Sequence, residues 1–101
     1  MNTNRTACHP DDIIPAVARF YHVDSVLMRG PRKPTHIVVA RHVAAYLMRT
    51  LTNLSLSQIG YRLGGRDHTT ALNSVRAITS RIVDDKQLAE QIEMISKELL
   101  A

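Results

Sequence analysis

The sequence has a single cysteine, Cys8, so no disulfide can form within the chain. That usage suits a reducing compartment, and the expected location is the cytoplasm. No stretch approaches about eighteen consecutive apolar residues, which rules out a membrane-spanning helix and makes a membrane an unexpected partner. The opening residues Met1-Asn2-Thr3-Asn4-Arg5 lack the apolar run of a secretory signal and read as the start of a flexible tail over residues 1–10. Low-complexity segments and internal repeats are absent, and strand patterns nearly so. The histidines lack metal-ligand spacing, and Cys8-His9 has no further ligands near it in sequence. The carboxylates gather towards the C-terminus rather than pairing with a nucleophile or base. These gaps argue against an enzyme and leave no cofactor or metal to expect.

What remains is enough chain for one domain, residues 11–101 of a total of 101. At this size about 60–68% of the unfolded surface can be buried, so no metal or disulfide is needed to fold. The net charge is +4, but its distribution says more. From Arg29 to Arg81 nine basic residues face the single acid Asp67, whereas residues 84–101 hold five acids and two lysines. A basic middle with an acidic end suggests a surface that meets a polyanion, backed by a solvated one.

The pattern along the chain is helical throughout. Asp11 or Asp12 can cap a helix from about Asp12 to His22, with Pro15 in its tolerant first turn and Ile13, Val17 and Phe20 or Tyr21 inward. Asp24 can cap a short helix after it. The run Arg29-Gly30-Pro31-Arg32-Lys33-Pro34 holds two prolines and a glycine, so it is a loop, and the densest basic cluster. A long helix follows from about Thr35 to Leu51. Its apolar residues run nearly all the way round, which predicts packing on several sides. Ser55-Leu56-Ser57-Gln58 is a capping-box pattern opening a short helix that ends at Gly64-Gly65. Asp67 then caps a helix from about His68 to Val83, and a tight glycine turn between two helices is the helix-turn-helix pattern. The last helix, about Lys86 to Leu100, carries Leu88, Ile92, Ile95 and Leu99 on one stripe. It packs on the bundle or offers a face to a protein partner.

The helix after Asp67 separates into two faces. Leu72, Val75, Ile78 and Ile82 are expected in the core, and Thr69, Asn73, Arg76 and Ser80 on another, hydrogen-bonding face. The first turn of such a helix is the part that enters a major groove. There the imidazole of His68 can donate to guanine N7 or O6, and the hydroxyls and methyls of Thr69 and Thr70 can meet base edges. Asp67 can accept from a cytosine amine, and Arg66 stands ready for a phosphate or base edge. The free N–H groups of the first turn also favour a phosphate.

The stretch Leu51-Thr52-Asn53-Leu54-Ser55-Leu56-Ser57-Gln58-Ile59-Gly60, followed by Gly64-Gly65-Arg66-Asp67-His68-Thr69-Thr70, closely resembles the C-terminal, box-binding domain of the bacterial replication initiator DnaA. The resemblance covers about residues 11–98. It implies an all-α, Trp-repressor-like bundle of about six helices with a helix-turn-helix, binding double-stranded DNA at a box of the TTATNCACA type as one monomer per box. Carried over by position, Asp67, His68, Thr69 and Thr70 read bases in the major groove. Lys33 or Arg32 from the basic loop enters the A/T-rich minor groove, whose narrowing strengthens its negative potential. Leu56 and Ser57 lie near a thymine methyl or the backbone, and Arg41, His42, Arg49, Arg66 and Asn73 contact phosphates or flank the bases.

Three positions depart from the family's pattern. Lys33 stands where a groove arginine is usual, and lysine, a strongly hydrated point charge, fits a narrow groove less well. His42 replaces a common glutamine, and Ser57 a common proline. The sequence also has no G-x-x-x-x-G-K-[ST] phosphate loop, so it cannot bind ATP through one. The expected function is a stand-alone, sequence-specific regulator of transcription or replication initiation, a reading favoured by Met1 and the dissimilar N-terminal tail. The alternatives are a fragment of a full initiator, and a protein-interaction module that reuses the fold.

Overall fold

A computed structural model of the chain describes residues 7–31 and 33–101. Among them six α-helices follow one another: α1 Ile13–Tyr21, α2 Ser25–Arg29, α3 Thr35–Leu51, α4 Leu56–Arg62, α5 His68–Arg81 and α6 Lys86–Leu100. No strand occurs among the described residues, so the chain is the all-α, helix-turn-helix bundle its periodicity predicts. None of these helices is long and apolar enough to cross a membrane.

The helix boundaries follow local chemistry. Asp24 accepts from the Val26 amide at 2.8 Å and starts α2. Ser55 and Gln58 satisfy each other's backbone N–H groups at 3.1 and 2.8 Å, completing the capping box of α4. Asp67 accepts from the Thr70 amide at 2.8 Å and opens α5. Between α4 and α5, Gly64 and Gly65 both take positive φ, 94° and 79°. Thr52 ends α3: its buried hydroxyl donates to the Met48 carbonyl and accepts from the Leu54 amide.

Helix α3 is the centre of the bundle and touches α1, α2, α4 and α5. Ile37, Ala40, Val43, Ala44, Ala45, Leu47 and Met48 are all buried on it, the all-round burial its composition predicts. Helix α6 lies on α1, where Tyr21 donates its hydroxyl to Gln91 Oε1 at 2.9 Å and Arg19 pairs with Glu98. Leu88, Ile92 and Ile95 are its buried residues, so this face is turned into the protein's own core rather than offered to a partner.

Three expectations need correction. Asp12 stands at the N-cap position of α1 but makes no side-chain cap hydrogen bond, and Asp11 is not the cap; a 3-10 turn, Pro10–Asp12, runs straight into the helix, and His9 Nδ1 accepts from the Asp11 amide at 3.1 Å. The tail expected over residues 1–10 does not extend to Ala7 and Cys8, because the Ala7 amide bonds the Leu51 carbonyl at 2.7 Å and Cys8 packs against the core; residues 1–6 lie outside the described residues. On α5 the most buried residues are Ala71, Ser74 and Ile78, with Leu72, Val75 and Ile82 only half-buried. An apolar stripe misses this rotation because alanine and serine carry little apolar signal. Small side chains are covered completely where two backbones come close, and α3 presents Ala40 and Ala44 to the core in the same way.

Candidate nucleic-acid interface

The first turn of α5 is open to solvent. Asp67, His68, Thr69 and Thr70 are all exposed, and Asn73, Arg76 and Ser80 continue the exposed face along the helix. Asp67 holds this turn in shape. Its carboxyl is kept below the ordinary carboxylate range by the Thr70 backbone and hydroxyl hydrogen bonds, with the nearby imidazole of His68 adding to the effect. The side chains of His68, Thr69 and Thr70 are thereby presented from a capped helix end whose dipole favours an anion.

The turn before α5 is built around close backbone approaches. The Arg66 amide bonds the Gly60 carbonyl at 2.9 Å, and a Cβ on Gly60 would fall on the Arg66 carbonyl oxygen. A Cβ on Gly64 would fall on the carbonyl oxygen of Arg29, at the end of α2. Two glycines therefore let α4, the turn and the base of the basic loop come together.

The basic loop leaves α2 through Gly30, whose backbone is extended (ψ −174°). Pro31, Lys33 and Pro34 are exposed. Lys33 is thus free to reach a groove or a phosphate. Arg32, the other minor-groove expectation, lies outside the described residues.

The remaining sites separate by burial. Arg49 is exposed in the last turn of α3, and Ser57 is exposed in the first turn of α4 with Leu56 half-buried beside it. Arg41 does not stand on this surface. It is 7% exposed, and its guanidinium donates to the carbonyls of Met28 at 2.8 Å and Gly30 at 3.2 Å. A phosphate contact from Arg41 is therefore replaced by a role inside the fold. Arg66 is also turned inward, donating to the Leu63 carbonyl and, at 2.7 Å, to that of Gly30. Both positions look like surface cations in sequence, because only the tertiary fold brings the end of α2 to them.

Arg76 is a cation that the expected set of contacts left out. It lies on the same exposed stripe as Thr69 and Asn73, and its spacing of seven from Thr69 is the signal that places it there.

His42 is half-buried on α3. Burial first, then repulsion from Arg41, Arg81 and Arg66, lowers its pKa from the usual 6.5. The folded chain thus resists a proton that the unfolded chain accepts. Its contribution to stability is complete above about pH 6.5 and is lost as pH falls from there towards the folded pKa. His42→Gln is expected to flatten the decline in urea midpoint between pH 7.5 and 5.5. Parallel profiles for the two chains would show that His42 does not titrate differently on folding.

Comparison with known proteins gives a consistent assignment. The family model described as "Bacterial dnaA protein helix-turn-helix" matches residues 10–78. The chain is 44% identical over 87 residues to the chromosomal replication initiator protein DnaA of Xanthobacter autotrophicus, covering 86% of this chain and 17% of that protein. It is 42% identical over 89 residues to the protein of the same name from Rhodopseudomonas palustris, covering 88% of this chain and 19% of that protein. With the Bartonella quintana protein the identity is 42% over 87 residues, with 86% and 18% covered. The chain spans less than a fifth of the length of these relatives.

Proposed function

The chain belongs to the bacterial DnaA helix-turn-helix family, and on that premise we propose that it binds duplex DNA sequence-specifically, at a site of the DnaA-box type. The observation that carries this reading is the capped, exposed first turn Asp67-His68-Thr69-Thr70 standing beside the base of an exposed basic loop. In this reading α5 lies in the major groove. His68 donates to a guanine acceptor, Thr69 and Thr70 meet base edges, and Asp67 accepts from a cytosine amine while it caps the helix. Lys33 reaches into the adjacent minor groove, where a lysine in place of arginine favours a relaxed preference in the A/T-rich half. Arg49, Asn73 and Arg76 contact phosphates, and Leu56 and Ser57 flank the bases. One monomer occupies each box.

Two settings suit this activity. In one the chain acts alone, occupying boxes to regulate transcription or initiation. In the other it is the DNA-binding end of a longer initiator whose ATPase module precedes it, a reading that its small share of the relatives' length favours equally. The coding sequence upstream of residue 1 separates them.

Selection of bound duplexes from a random pool at fixed salt tests the DNA reading and returns the preferred sequence. His68→Ala is expected to cost about 1–3 kcal/mol on the selected box and far less on unrelated duplex. A His68→Ala chain with the wild-type box preference would remove His68 from the readout. Recovery of no duplex, with a protein partner co-purifying instead, would overturn the DNA reading.

A further inference from the structure

Three successive carbonyls at the end of α2, those of Met28, Arg29 and Gly30, would ordinarily be left to water as the unpaired end of a helix. Here three other parts of the fold come onto them. Arg41 from α3 donates to Met28 O at 2.8 Å and to Gly30 O at 3.2 Å. The turn at Gly64 lies so close that a Cβ there would fall on Arg29 O. Arg66, one residue before the cap of α5, donates to Gly30 O at 2.7 Å with one Nη and to Leu63 O with the other. Two guanidinium groups thus converge on the single oxygen of Gly30, the residue from which the basic loop departs.

We propose that Arg66 is a positioning residue: its two-pronged bridge between Leu63 O and Gly30 O sets the basic loop in register with the reading helix, so that the two halves of the bound site are recognised together. This rests on the DNA reading above and changes the task of Arg66 within it, from touching the duplex to aligning the two elements that do. The planar fork is essential to the task. A lysine keeps the charge but is a single-point donor that cannot span both carbonyls. A residue whose job is to neutralise a phosphate would tolerate lysine, whereas a bridge would not.

Arg66→Lys therefore separates the two roles. For wild type, replacing one base pair in the half contacted by the loop, or one in the half contacted by α5, is expected to weaken binding about tenfold each. In Arg66→Lys the loop-half penalty is expected to shrink to about twofold while the helix-half penalty stays near tenfold, with the salt slope unchanged. A role in general stability alone would weaken both duplexes equally and leave both penalties intact, which would overturn the inference. So would a salt slope shallower by about one in Arg66→Ala, the sign of a lost phosphate contact. Arg66→Gln, which removes the charge but keeps an amide donor, is the second variant if the lysine chain fails to fold.

A measurement without DNA keeps this distinct from the DNA reading. In a Cys8→Ser background, spin labels on Lys33→Cys and Thr79→Cys report the separation of loop and α5. A narrow distance distribution is expected with Arg66 and a broad one with Arg66→Lys. Equal widths overturn the bridge even if DNA binds. A broadened distribution in a chain that binds no duplex leaves the bridge in place and rejects the DNA reading.

Discussion

Gly64→Ala is expected to lower folding stability by about 2–5 kcal/mol, from two separable causes. The first is conformational: φ at Gly64 is +94°, and an L-residue held there loses about 1–2 kcal/mol. The second is steric. The new Cβ would fall on the carbonyl oxygen of Arg29 and within 2.9 Å of its carbon. Both are backbone atoms that cannot swing aside, and forced overpacking costs about 1–3 kcal/mol. Gly65→Ala is the internal control. Its φ is +79°, but nothing lies within 4 Å of the added carbon, so it should show only the first cost. Urea midpoints at unchanged m-value measure both. Equal losses for the two variants would mean that the turn and the end of α2 are not pressed together in solution. The consequence for the interface is direct, because displacing Arg29 carries Gly30 and the basic loop away from the first turn of α5.

Affinity for a box duplex is expected to fall on the order of a hundred-fold between 50 and 200 mM monovalent salt. Each phosphate neutralised contributes about −0.9 to the slope of log K against log salt, so about four contacts give a slope near −3.6. The number of contacts follows from which cations are free to act. Arg19, Arg62 and Arg81 already face Glu98, Asp11 and Asp85, and Arg41 and Arg66 are turned onto carbonyls of the chain itself. Arg29 and Lys33 at the basic loop, with Arg49 and Arg76, are exposed among the described residues, which makes four cations. Arg49→Ala should flatten the slope by about one unit on every sequence, leaving the preference between boxes intact. A slope near zero, or one unchanged by Arg49→Ala, would remove the phosphate assignment. Counting sequence charge alone would have included Arg41 and Arg66 and predicted a steeper slope.

The features that could be read without the fold are those whose chemistry is local. Asp24, Ser55 with Gln58, and Asp67 each cap the helix that begins immediately after them, because a cap needs only the next three residues. The exposure of Asp67, His68, Thr69 and Thr70 belongs with these, since polar residues in the first turn after a capped glycine turn have nothing nearby to cover them. The bounds of α3 and α6 were equally legible from periodicity, because both helices bury large apolar residues at helical spacing. The start of α1 was not: Asp11 and Asp12 are good caps by type, but a 3-10 turn reaches the helix first.

The sequence by itself determined the helices, the caps of α2, α4 and α5, the glycine turn and the polar face that the reading helix offers. Each of these depends on groups within a few residues of one another, where side-chain type and spacing decide the outcome. Only the tertiary structure decided which face of α5 is buried, because Ala71 and Ser74 are covered where α5 packs against α3 and α4 rather than by their own hydrophobicity. It alone decided the tasks of Arg41 and Arg66. A guanidinium bonds a phosphate or a carbonyl with the same donors, and which one it meets depends on where a helix end some thirteen or thirty-six residues away comes to rest. Gly64 lies between the two cases: its place in a turn was legible locally, while its close approach to Arg29 exists only once α2 is packed against that turn.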